Sequence, residues 1–232
     1  MSSIIPPILP LLGAAVLFGL ATVLRLSFYV GVLERPISIA ILWGIFTGDW
    51  ALVLCLGVFF ELFWMDLIGA GTYIPPNANL PLLLCLFVVH AFAGQGFFIP
   101  DPPLVLIVLA VPLAYIGSGF EQRHRKKLIS IHEQLVEERQ MDKAIPTAVI
   151  FSAMGRLLFK ESLLFILLGL LIYLLFVLLI HVFGSFPGPV NLSWAVLWMT
   201  ALLGGLLSLR TRRAVISLSI TLGIFCILLL QG

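Results

Sequence analysis

Carboxylates inside apolar sequence are the first residues in this chain that could do chemistry. Glu61 follows eleven uninterrupted apolar residues, and Asp66 comes five positions later. A carboxylate in hydrocarbon is costly, so it usually faces a cavity or a partner. Five positions place the two side chains about 140° apart around a helix. We therefore do not expect them to act as a paired acid and base.

Amide side chains and helix breakers follow these carboxylates. Residues 69–79 contain two glycines and two adjacent prolines, which interrupt a helix. Asn77 and Asn79 then each offer a donor and an acceptor, and Trp64 lies one turn from Glu61 on the same helix face. This set suits a neutral, hydroxyl-rich ligand and predicts a solute site on a broken helix near mid-membrane. The alternative is an ordinary helix end at the headgroups, with Trp64 in the aromatic belt.

The composition determines what must position these residues. Of 232 residues, 61% are hydrophobic and only 10% are charged, against roughly 25% charged in a soluble domain. The apolar runs are continuous rather than alternating, which predicts an all-α integral membrane protein and not a barrel. The three cysteines have no metal-site spacing, so we predict no metal and no cofactor. The N-terminus has no basic region before its apolar run, and we expect no removable signal peptide.

The apolar stretches predict a polytopic protein of one membrane domain. Residues 37–68 are too long for one helix across a core of about 30 Å. Gly48 would loosen this run and Asp49 would cap the next helix, so 37–47 and 50–68 are predicted as broken or re-entrant pieces in the N-terminal half. Asp49 is also a candidate site residue. The other predicted spans are residues 8–28, 80–98, 103–119, 162–183, 194–209 and 214–230.

A charged segment, residues 121–143, is predicted as a cytoplasmic amphipathic helix, because Leu128, Ile131 and Leu135 recur at helical spacing. Basic clusters at 123–127 and 210–213 are separated by two spans, so both can face the cytoplasm. The segment could lie on anionic lipid, dock a soluble partner, or serve as a solvated connector. Nucleic acid is not expected, because no aromatic residue stands between the basic ones.

Four short motifs in one order carry a family resemblance. Residues 35–81 resemble the IIC membrane component of the mannose–fructose–sorbose family of the bacterial phosphotransferase system. The chain departs from the family pattern at Arg25, where an acidic residue is common, and at Asn77, where aspartate is commoner. The matching motifs are Arg35-Pro36, Gly48-Asp49, Gly57 with Glu61, and Pro75-Pro76-Asn77.

The resemblance implies a permease subunit of the bacterial inner membrane that binds a hexose and moves it for phosphorylation. It implies a IID membrane partner, soluble IIA and IIB phosphoryl donors, surrounding lipid, and homo-oligomers within a larger complex. The phosphorylated histidines would belong to those donors, so this chain would not itself be an enzyme. The histidines of this chain are consistent with that role. We expect His90 and His181, in apolar spans, to be structural, and His124 and His132 lie in the charged segment.

Two other functions remain open from the sequence. One is an unrelated secondary transporter, or a small-molecule-binding membrane subunit, that uses the same polar break. The other is a structural paralogue that assembles without transporting. Uptake that needs no phosphoryl donor would indicate the first, and assembly without sugar binding would indicate the second.

Overall fold

The structure is a computed structural model that describes residues 7–28, 31–65, 74–94, 101–137, 147–183 and 193–208. This part of the chain is helical and contains no strand, which confirms the all-α class. A short 3-10 helix, Gly31–Glu34, joins the first two α-helices. The α-helices are α1 (Ile8–Phe28), α2 (Pro36–Thr47), α3 (Trp50–Phe63), α4 (Asn79–Ala93), α5 (Leu104–Ala110), α6 (Leu113–Glu137), α7 (Thr147–Phe183) and α8 (Trp194–Ser208).

Three helical stretches are long and apolar enough to cross a membrane: Ile8–Phe28, Leu104–Lys127 and Phe151–Val182. The first matches the predicted span at 8–28. The predicted span at 162–183 began too late. Helix α7 starts at Thr147 and continues through the charged residues Arg156, Lys160 and Glu161. At 37 residues α7 is about 55 Å long, so it extends beyond the hydrocarbon.

Helices α1 and α7 form a closely packed antiparallel pair. Phe18 lies 5.6 Å from Phe165 between ring centroids, and the Ser162 hydroxyl donates to the Ala15 carbonyl at 3.0 Å. Gly19 faces Ser162, and a methyl group there would collide with the Ser162 hydroxyl oxygen. A residue without a side chain is therefore what lets these two backbones approach.

Helices α2 and α3 form a short hairpin, which confirms the prediction of two pieces in residues 37–68. Gly48 ends α2 with a φ of 77°, a left-handed conformation that favours glycine. Its N–H donates to the Gly44 carbonyl at 2.8 Å. Asp49 occupies the N-cap of α3 as predicted, but its side chain makes no capping hydrogen bond. With 12 and 14 residues the two helices are about 18 and 21 Å long, shorter than the membrane core.

Helix α4 is the centre of the fold. Of its residues, only His90 and Ala93 are not buried, and it packs on α1, α2, α3, α5, α6 and α7. A helix that is apolar all round is one that protein surrounds. The predicted span at 80–98 is thus a helix that ends at Ala93, and residues 95–98 lie outside the described part of the chain.

The predicted span at 103–119 lies almost entirely within the membrane-crossing candidate Leu104–Lys127. The structure divides this stretch between α5 and α6, at Val111 and Pro112. Pro112 has no N–H to donate and crowds the preceding turn, which breaks a helix. From Leu113 one helix then continues from apolar into charged sequence as far as Glu137, because nothing at residue 120 interrupts it. The side chains of Leu128, Ile131 and Leu135 lie outside the described part of the structure, so the amphipathic face stays a prediction.

The start of α8 lies against the segment just before α5, at one end of the fold. The indole N–H of Trp194, at the start of α8, donates to the Asp101 carboxylate at 2.8 Å. Trp198, one turn later, donates to the Cys55 carbonyl at 3.1 Å, which fixes α8 against α3. The basic residues of α6 lie toward the opposite end, and the cytoplasmic side of the cluster at 123–127 stays a prediction.

Candidate functional site

Gly57 determines how closely α2 and α3 approach. A Cβ atom at this position would lie 2.6 Å from the Ala40 Cβ and 3.4 Å from the Ile37 Cα. Glu61 is one turn further along the same face of α3. The spacing of the glycine and the glutamate therefore directs the carboxylate at the beginning of α2.

Glu61 binds the start of α2 with both of its oxygens. Oε1 accepts from the Arg35 guanidinium at 3.0 Å, and Oε2 lies 3.5 Å from the Ile37 N–H. Pro36 occupies the first turn of α2, where the missing N–H leaves no helix bond unmade. A helix N-terminus attracts negative charge. The carboxylate thus has a cation, a helix dipole and partial solvent, with its side chain 24% exposed.

Asn79 reaches the same connecting segment from α4. Its Nδ2 donates to the Leu33 carbonyl at 2.7 Å, and the residue is only 7% exposed. Its Oδ1 is buried and has no hydrogen-bond partner among the described residues. A buried carbonyl oxygen without a donor is unfavourable by roughly 1–3 kcal/mol, so this atom is an acceptor suited to a hydroxyl group.

Asn77 lies between α4 and α6. Its backbone N–H donates to the Ala114 carbonyl at 3.1 Å, and the residue is buried. Gly117 faces it, and a Cβ atom there would lie 3.1 Å from the Asn77 Cβ and 3.0 Å from a Leu80 methyl carbon. Helix α6 therefore forms the wall behind this asparagine.

Trp64 immediately follows the last residue of α3 and is buried in the core. Its ring stacks on Phe60 at 5.8 Å with an angle of 12° between planes, and meets Phe63 edge to face at 4.8 Å. The indole is thus part of an aromatic wall beside Glu61.

The structure brings Glu61, Asn77 and Asn79 to one end of the helices and places Asp49 elsewhere. Asp49 is exposed at the tip of the α2–α3 hairpin, about 18 Å along α3 from Glu61. That separation is longer than a monosaccharide, so Asp49 cannot share one sugar with Glu61. Asp66 and the glycines at 69 and 71 lie outside the described residues.

Sequence reasoning did not predict two residues that contact the candidate site, Arg35 and Gly117. Arg35 was recognised only as part of a motif, and its pairing with Glu61 depends on the fold of the hairpin. Gly117 carried no signal beyond its place in an apolar stretch. His90 was expected to be structural, and this is confirmed, because its Nδ1 lies 2.9 Å from the Leu86 carbonyl. No group of metal-binding side chains occurs among the described residues.

Comparison with known families gives one match. The model of a family described as the sorbose-specific IIC component of the phosphotransferase system matches residues 11–209. That range contains all four motifs and every described helix from α2 to α8. No curated protein and no solved structure gives a significant match.

Proposed function

Because the chain belongs to the family of sorbose-specific IIC components, and is therefore a membrane component of a sugar phosphotransferase permease, we propose that it binds a hexose at Glu61, Asn77 and Asn79. We propose further that it moves this sugar across the bacterial inner membrane as a multi-pass protein. A IID membrane subunit completes the path, and soluble IIA and IIB proteins deliver the phosphoryl group. Phosphorylation on the cytoplasmic side then retains the sugar.

The single observation that supports this site most strongly is the unpaired Oδ1 of Asn79. This oxygen lies at the same end of the helices as the Glu61 carboxylate. The partners of that carboxylate are the exposed Arg35 and the backbone N–H of Ile37. Sugar hydroxyls both donate and accept, so they can satisfy an amide oxygen and a carboxylate together. A site built to hydrogen-bond a hydroxyl discriminates strongly against ligands that lack it.

Each residue then has a role in the proposal. Glu61 accepts hydrogen bonds from sugar hydroxyls while its bond to Arg35 holds the carboxylate in place. Asn79 accepts another hydroxyl through Oδ1 and stays oriented by its bond to Leu33. Asn77 presents its amide from the loop before α4, and Trp64 belongs to the aromatic wall. Helices too short to span the membrane line such sites in other transporters, where movement of the broken segments exposes the site to each side.

The decisive experiment is uptake of labelled hexoses into vesicles that contain this chain with a IID subunit. Uptake should appear only when IIA, IIB and a phosphoryl source are supplied, and the sugar should accumulate as its phosphate. Uptake that ignores the donors would indicate a secondary transporter. A stable complex with IID that takes up no sugar would indicate a structural subunit.

Glu61→Gln tests the carboxylate in the same vesicles. We expect it to lower hexose uptake at least tenfold, because one lost charged hydrogen bond is worth about 1.5–3 kcal/mol. Asp49→Asn is the matched control and should retain uptake, because this residue occupies the N-cap position at the other end of α3, away from Glu61. Wild-type uptake by the Glu61 variant would exclude this residue from the site.

Gly117→Ala tests the wall behind Asn77. The added methyl should displace Asn77 and raise the apparent KM for sugar several-fold, because the nearest atoms would lie only 3.0 to 3.1 Å away. Gly119→Ala, two residues later on the same helix, meets nothing within 4 Å and should behave as wild type. Equal effects of the two variants would show that Asn77 does not contact sugar.

A further inference from the structure

The proposed sugar site does not use a second group of charges, at the end of the fold that carries the basic residues. Arg25 of α1 lies 2.5 Å from Glu121 of α6, and Arg125 binds the other oxygen of Glu121 at 2.6 Å. Glu161 of α7 is also buried and lies near enough to both Arg25 and Glu121 to interact electrostatically. We call these four residues the ionic cluster.

The ionic cluster contains two guanidinium groups and two carboxylates. In the observed arrangement Glu121 holds both arginines, whereas Glu161 forms no ion pair among the described residues. Burying a carboxylate without a direct partner is unfavourable by several kcal/mol. The cluster is thus balanced in total charge but unevenly paired.

A second pairing would be even. Arg125 is on the same helix as Glu121, one turn away, and would remain with it if α6 moved. Arg25 and Glu161 belong to the tightly packed pair α1–α7, held by the Ser162–Ala15 bond and the approach at Gly19. If α6 moved away, Arg25 could turn to Glu161, and each carboxylate would keep one guanidinium.

We propose that the ionic cluster is a two-position latch in which Arg25 exchanges between Glu121 and Glu161 as α6 moves relative to α1 and α7. The closed position is the one observed. Opening gives Glu161 a guanidinium but takes Arg25 from Glu121, so the gain at one carboxylate offsets the loss at the other. Such a two-state element is what a conformational switch requires.

The same helix face connects the latch to the site. Ala114, Gly117 and Glu121 follow one another at spacings of three and four residues, so they lie on one side of α6. Ala114 and Gly117 contact Asn77. Movement of α6 at Glu121 would therefore move the wall behind Asn77. This consequence rests on the proposed function, whereas the latch itself does not.

The test uses the full chain in lipid nanodiscs with its native cysteines replaced. Spin labels at Gln122→Cys on α6 and Ser152→Cys on α7, both exposed, report the α6–α7 distance by pulsed electron resonance. Wild type should show a short and a long population. Glu121→Gln should raise the ratio of long to short at least threefold, because Arg25 then prefers Glu161.

Glu161→Gln and Arg125→Gln should change that ratio threefold in the opposite direction. Glu161 has Arg25 as a partner only in the open position, and Arg125 is the arginine that stays with Glu121 there, whereas in the closed position Glu121 also has Arg25. Arg123→Gln is the matched control and should leave the ratio unchanged. A purely structural cluster would give one distance population, or shifts of the same sign for all three variants, and either result would overturn the latch.

Failure of the latch is distinguishable from failure of the sugar site. If the distances shift as expected while Glu61→Gln retains full uptake, the latch stands and the site is wrong. If Glu61→Gln abolishes uptake while the distances do not shift, the site stands and the latch is wrong.

Discussion

Among the described residues, two arginine–glutamate pairs join different helices, and their surroundings differ. Arg25 and Glu121 connect α1 to α6 with side chains 15% and 4% exposed. Arg35 and Glu61 connect the start of α2 to the end of α3 with side chains 64% and 24% exposed. Exposed pairs contribute about 0–1 kcal/mol, whereas breaking a buried pair costs about 3–5 kcal/mol.

The difference suggests a division of labour. A ligand hydroxyl can replace a weak, solvent-reached partner of Glu61 with little loss, which suits a binding site. The Glu121 carboxylate is only 4% exposed, so water cannot readily take the place of its arginine partners. Under the two proposals, one pair serves recognition and the other controls helix position.

The largest effect should come from Arg25→Gln. It leaves Glu121 with Arg125 alone and removes the guanidinium that interacts electrostatically with Glu161, and we expect a loss of about 3–5 kcal/mol in the free energy of unfolding. Denaturation in mild detergent would measure it. Arg123→Gln removes an exposed guanidinium that lies 5.7 Å from the Phe120 ring and should lose less than about 1 kcal/mol. Equal losses of stability in the two variants would contradict the expected difference between a buried and an exposed arginine.

Gly19→Ala should have the next largest effect, because it separates the α1–α7 pair that supports Arg25. The new methyl would meet Ser162 and lie 3.1 Å from the Leu158 carbonyl oxygen, and overpacking typically costs about 1–3 kcal/mol. Gly13→Ala, on the same helix with nothing within 4 Å, should be neutral or gain up to about 1 kcal/mol. The same denaturation assay decides, and a neutral Gly19 variant would contradict the close approach.

Arg35→Gln should have the smallest effect on stability, below about 1 kcal/mol. Its effect on sugar uptake should nevertheless be several-fold, because Glu61 loses the guanidinium that orients its carboxylate. For Arg35→Gln, the effect on uptake should therefore exceed the effect on stability, whereas Arg25→Gln is expected to act mainly on stability. A large stability loss with unchanged affinity would mean that the Arg35–Glu61 pair is structural.

Hydrophobic patterning predicted most of the helices, because a chain in lipid must satisfy its backbone within each span. It gave α1 residue for residue and the division of α2 from α3 at Gly48. It did not predict the interruption at Pro112, within a stretch apolar enough to read as one span. It also placed the start of α7 too late, after the charged residues Arg156, Lys160 and Glu161. The interrupted α5–α6 stretch and the long α7 both depend on where the chain leaves the hydrocarbon, which composition does not specify.

The sequence by itself determined that this is a helical membrane protein, since apolar length, Gly48 and Pro36 act within a few residues. Its motifs also resemble the IIC family, and it predicted a candidate ligand set of Glu61, Trp64, Asn77, Asn79 and Asp49. Only the tertiary structure decided that Arg35 pairs with Glu61, that Asn79 Oδ1 has no hydrogen-bond partner among the described residues, and that Arg25 pairs with Glu121. Arg25 is 96 residues from Glu121, and a pairing at that distance depends on how whole helices pack, which no local pattern encodes.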